Sequence, residues 1–139
     1  MLDLPEGARY LDHSDRLMLY GQDEDTYIFT GPTFMRVGDH YGNAKCGVID
    51  RNERWCVTGG EGLIVADFPR GGSFFDQQPN GRLRQTLRFA DGATIHPVLI
   101  AQISEDTVRF VQDLTDEKSV GIYDFNVVGL TIRKLHSRD

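Results

Sequence analysis

Residues 46–68 read CGVIDRNERWCVTGGEGLIVADF, and this stretch decides the fold. Three short apolar runs are separated by tight-turn residues, the pattern of a three-stranded antiparallel meander. Cys46 and Val48 fall on one face of the first strand. Trp55 and Val57 share a face of the second, and Cys56 and Thr58 share the other. The third run, GLIVADF, is apolar without alternation, which predicts a central strand covered on both faces. A loop centred on Arg51 would set Cys46 opposite Cys56. A loop one residue different would send them to opposite faces, and the sequence leaves both registers open.

The same hairpin logic extends in both directions. RLMLY (16–20) and TYIFTG (26–31) flank the polar turn GQDED, so a hairpin is expected with Asp23, Glu24 and Asp25 at its tip. Downstream, Ala90-Asp91-Gly92 is a turn signal. HPVLIAQI, TVRFVQDL, SVGIYDF and VVGLTIRKL follow, separated by SED and TDEK. A helix starting at Ser104 competes with the strand over 107–114. The β-branched content and the short polar turns favour the strand, with Gln112 breaking its apolar face. Residues 69–82, PRGGSFFDQQPNGR, are the clearest loop, and Phe74 and Phe75 are expected to pin it to the core.

These patterns predict one all-β domain over residues 1–139, an antiparallel meander forming a sandwich or partly open barrel of about 8 to 10 strands. The expected core is Leu17, Leu19, Ile28, Val48, Trp55, Val57, Ile64, Val65, Leu99, Ile103, Val108, Phe110, Ile122, Phe125, Leu130 and Ile132. A chain of 139 residues buries enough surface to fold without metal or disulfides. The formal charge of −6 argues against nucleic acid and anionic lipid as partners. No apolar run is long enough to span a bilayer, and the N-terminus lacks the basic and apolar regions of an export signal. A cytoplasmic protein with reduced cysteines is expected.

Catalytic and metal motifs do not stand out. His13, His40, His96 and His136 show no metal-ligand spacing with one another or with the cysteines. Cys46 and Cys56 lie inside apolar strand patterns, where a thiol behaves as a small buried hydrophobe. The glycines of TGGEG lack the Gly-Lys-Ser/Thr that completes a phosphate loop. Neither a metal nor a cofactor is therefore expected. Three bends, QDED, SED and TDEK, are acidic. If two or more gather at one end of the fold, they present a concentrated negative field to a basic partner. Nearby aromatics, Tyr20, Tyr27, Tyr41 and Tyr123, would be the anchors of such an interface.

Residues 46–68 are locally similar to one blade of a WD-repeat propeller, with a turn before an aromatic residue, a glycine pair, and a strand ending in Ala66-Asp67. Too few residues are present for four such blades, so turn chemistry explains the likeness. The longer stretch GDHYGNAKCGVIDRNERWCVTGGEGLIVADF (38–68) resembles small acidic β-rich immunity proteins of bacterial toxin–immunity pairs. The resemblance lies in its His-Tyr-Gly loop, the turn before Trp55 and the Gly-Leu-Ile-Val strand. It implies a non-enzymatic protein that binds one toxin and occludes its active site. The expected contact residues are Asp23, Glu24, Asp25, Asp39, Tyr41, Glu105, Asp106, Asp116 and Glu117. The competing expectation is a small β-barrel enzyme or ligand-binding module with Tyr41, His40, His96 and Trp55 around one pocket. A structural subunit of a larger assembly is the third.

Overall fold

A computed structural model describes residues 4–29, 34–68, 83–112 and 119–135. These residues form twelve strands and no helix, a few strands more than expected. The strands make three antiparallel sheets of four, each a meander in chain order, and none closes into a barrel. The first sheet holds β1 (Arg9–His13), β2 (Met18–Gln22), β3 (Asp25–Phe29) and β4 (Phe34–Asp39). The second holds β5 (Cys46–Ile49), β6 (Trp55–Gly60), β7 (Gly62–Asp67) and β8 (Leu83–Thr86). The third holds β9 (Pro97–Ser104), β10 (Thr107–Gln112), β11 (Gly121–Asn126) and β12 (Thr131–Lys134).

The second sheet is the middle layer. Its residues alternate between two cores, and every residue of β5 and β6 is buried. Val48, Val57 and Val65 are cross-strand partners. With Trp55 and Leu63 they pack on Val108, Phe110, Tyr123 and Phe125 of the third sheet. Ile49, Cys56 and Ala66 are partners of opposite parity. They pack on Leu19 and Ile28 of the first sheet, together with Leu17 and Val37. This explains the unbroken apolar run in GLIVADF: a strand buried on both faces has no solvent side to mark with polar residues. Close approach of the first two layers depends on Gly47. A Cβ there would lie 2.7 Å from Leu19 Cδ2 and 3.2 Å from Leu11 Cβ.

Cys46 pairs with Gly59 and Cys56 with Ile49, so the thiols lie on opposite faces of the middle sheet and are free. The 107–114 ambiguity resolves to strand over Thr107–Gln112. Gln112, expected to break the apolar face, is fully buried. Its Oε1 accepts from His96 N at 2.8 Å, and its Nε2 donates to Thr94 O at 3.2 Å. Two backbone groups are thereby satisfied beside a strand end, which is what a buried amide must achieve to be tolerated.

Three expected core residues are corrected. Leu99 is 65% exposed, and Ile103 and Ile122 are also exposed, because they project from the outer face of the third sheet. Leu130 and Ile132 are half-buried against the core. Phe74 and Phe75 lie outside the described residues.

At one end of the layers three turns are bound together. Glu53, in the left-handed region at φ 56°, accepts from Arg16 N at 3.2 Å, from Arg16 Nε at 2.7 Å, and from Ser14 Oγ. Asp50 is fully buried. It accepts from Arg54 N and Nε at 3.0 and 2.6 Å, from Arg54 Nη2 at 3.1 Å, and from Gln102 Nε2 at 2.7 Å. The β1–β2, β5–β6 and β9–β10 turns thus share one polar knot.

Candidate functional site

The β2–β3 hairpin closes with the two-residue turn Asp23-Glu24. Asp23 takes a left-handed φ of 54°, which Asp tolerates better than most residues. Glu24 then organises its neighbours. Its carbonyl accepts from His40 N at 2.8 Å, and its Oε2 accepts from Gly42 N at 3.0 Å. The loop after β4 is thereby hung on the tip, and Tyr41 between those two residues stands 84% exposed. Asp25 faces Asp39 across β3 and β4. Arg36 bridges them, with Nε 2.9 Å from Asp25 Oδ1 and Nη2 3.3 Å from Asp39 Oδ1. From the β1 side, Arg9 Nη2 donates to Asp23 O at 2.9 Å. Four carboxylates and one exposed tyrosine are therefore gathered at one corner, faced by two guanidinium groups.

The SED bend does not join them. Glu105 and Asp106 sit at the opposite end of the layers, in the polar knot. Arg54 Nη1 lies 3.4 Å from Asp106 Oδ1, and Arg54 Nη2 donates to Glu105 O. The QDED and SED bends thus form two separate clusters, each of them met by arginine. Asp116 and Glu117 lie outside the described residues.

The expected pocket of Tyr41, His40, His96 and Trp55 does not form. Trp55 is buried in the core towards the third sheet. His40 lies against the opposite face of the middle sheet, at the far end of β6. There a Cβ on Gly60 would be 2.9 Å from its Cγ. Five strand steps separate those ends, roughly 17 Å. Tyr41 points into solvent, and His96 is half-buried at the start of β9.

His40 is 2% exposed. Its Nε2 is 2.9 Å from Thr58 Oγ1, and its Nδ1 is 3.4 Å from Glu61 O. Burial pulls its pKa below the ordinary 6.5, against the weaker opposing effects of the Glu61 carbonyl and Asp39. The unfolded chain therefore binds this proton more readily than the folded one. Stability is full above pH 6.5 and falls as pH drops below it towards the lowered folded value. Thermal unfolding should show a stability loss on acidification through that window, and His40→Gln should flatten it. An unchanged slope would show that His40 is not its source.

Burial also pushes the Cys46 thiol up to about 12, and Cys56 is raised further. Both stay protonated near neutrality and are weak nucleophiles. Among the described residues no group of three or more His, Cys, Asp and Glu is placed to hold a metal ion. No helix among them is long and apolar enough to cross a membrane.

Sequence patterning missed an aromatic face. Tyr10, Tyr20 and Tyr27 are cross-strand partners on the outer side of the first sheet, as are Phe29 and Phe34. Tyr20 and Tyr27 stack at 5.3 Å, and Tyr27 meets Phe34 edge-on at 5.7 Å. Tyr10 is 52% and Phe34 62% exposed. Of the expected anchors, Tyr41 is open and Tyr27 half-buried, while Tyr20 and Tyr123 are buried and so present little contact surface. The signal was available. Tyr20 and Tyr27 lie equally far from the Asp23-Glu24 turn, and a two-residue hairpin places such residues opposite each other. Comparison with protein-family models, with curated proteins and with solved structures finds no match to this chain.

Proposed function

We propose that this chain is an immunity-type protein, which binds one cognate bacterial toxin in the cytoplasm and occludes its active site. The observation that carries this reading is the corner formed by Asp23, Glu24, Asp25 and Asp39 beside the 84%-exposed Tyr41. A carboxylate cluster with a protruding aromatic suits a basic, substrate-binding cleft: charge steers the encounter and the ring supplies a buried anchor. Such a role asks for a surface and no chemistry of the chain's own. The resemblance of residues 38–68 to immunity proteins points the same way.

The test uses the product of the neighbouring reading frame, assayed for toxicity and for its own activity with and without this chain. Equimolar chain should abolish the activity. Reversing Asp23 and Glu24 to lysine should slow association by roughly tenfold and flatten its salt dependence. Activity untouched by a several-fold molar excess of the chain overturns the reading. Inhibition with unchanged association kinetics removes the tip from the interface.

A further inference from the structure

The outer face of the first sheet is graded along its strands. Phe29 and Phe34 form one cross-strand row, Tyr20, Tyr27 and Arg36 the next, and Asp25 and Asp39 the last. The grading runs from apolar through aromatic to anionic over two residue pairs, roughly 14 Å. One basic group already sits in it. Arg36 is the cross-strand partner of Tyr27, and its guanidinium spans Asp25 and Asp39, yet its side chain remains 47% exposed. Asp39 is 66% exposed, so its carboxylate retains open acceptor positions beyond the one Arg36 uses.

We infer that this graded face receives an arginine-bearing segment of a basic protein, whose guanidinium pairs with Asp39 and Asp25 while an apolar neighbour packs on Phe34. The inference rests on the proposed function, in which the partner is a basic protein, and names the side chain that partner presents. Arg36 shows that the carboxylate pair fits a planar guanidinium. A guanidinium can bond two acceptors in a fork and lie flat on an aromatic ring, whereas an ammonium offers a point charge. The acidic rim disfavours nucleic acid on the same aromatic surface.

The test titrates the full chain with N-acetylated hexa-arginine and hexa-lysine peptides, following side-chain and backbone resonances. Hexa-arginine should bind several-fold tighter and shift Tyr27, Phe34, Asp25 and Asp39. Phe34→Ala and Asp39→Asn, both at exposed positions, should each weaken it roughly fivefold. Arg36→Gln should tighten it by releasing the carboxylates, whereas a merely structural Arg36 would give equal or weaker binding. Equal affinity for the two peptides, or shifts centred on Glu105 and Asp106, overturns the inference. So does maltohexaose binding at Tyr27 and Phe34 without a response to hexa-arginine, which would assign the face to carbohydrate. Toxin inhibition retained alongside equal peptide affinities fails the arginine inference alone. Arginine preference without inhibition fails the immunity reading alone.

Discussion

Asp50→Ala is expected to lower folding stability by about 2–3 kcal/mol, because it removes a fully buried acceptor and leaves an arginine whose side chain is 28% exposed without its principal partner. The measurement is urea unfolding, with a lower midpoint and an unchanged slope. The size follows from what the carboxylate holds. It accepts from three nitrogens of Arg54 and from Gln102 Nε2, and so joins the β5–β6 turn to the third sheet. Among the described residues the Arg54 guanidinium would keep Glu105 O, the longer contact to Asp106 and the Trp55 ring 6.0 Å away. The Gln102 amide would also lose its shorter acceptor, keeping Glu105 O at 3.5 Å, while its Oε1 still serves Arg51 N. A loss under about 1 kcal/mol would put the knot in the class of solvent-screened ion pairs.

The pH dependence carries the same information. Burial alone would raise the Asp50 carboxyl. The hydrogen bonds from Arg54 and Gln102 outweigh it and hold the group below the ordinary 3.8. A carboxylate depressed on folding adds stability above its unfolded pKa and loses it as pH falls through the folded value. The native chain should therefore lose stability more steeply than Asp50→Ala below about pH 3.8. The opposite order would mean that protonation of Asp50 is not part of acid unfolding.

Asp50 was not legible as a special residue. In the sequence it is one more carboxylate in a turn, next to Arg51, Asn52 and Glu53. What distinguishes it is the arrival of the β9–β10 turn from about fifty residues away, and no local pattern reports that. The hairpins themselves were legible, since each is set by a few consecutive residues. The middle layer was legible for a stronger reason: Leu63, Ile64, Val65 and Ala66 leave no face for solvent, and all four are buried. The candidate site was half legible. Asp23, Glu24 and Asp25 follow from one turn, and Asp39 and Tyr41 join them through Glu24. That the SED bend lies at the other end depends on how three meanders stack, which turn composition does not encode.

Phe110→Ala should cost about 3–5 kcal/mol, while Leu99→Ala should stay within about 0.5 kcal/mol of the native chain. Both residues lie in apolar strand segments, and composition alone places both in the core. Their parity separates them. Phe110 and Phe125 are fully buried, and Phe110 stacks on Tyr123 at 5.1 Å with the rings 14° apart. Removing that ring opens a cavity walled by Phe89 and Tyr123 that neighbouring strands cannot collapse into without breaking register. Leu99 is cross-strand to Val111, which in turn faces Ile122, all on the outer side. The conflict is visible in β11 itself, where Ile122 and Phe125 have opposite parity and one strand cannot point both at one core. A large loss from Leu99→Ala would mean that the outer row of the third sheet is covered. A small loss from Phe110→Ala would mean that the layer between the second and third sheets is loosely packed. The paired measurement therefore tests the register of the third sheet and the depth of its core together.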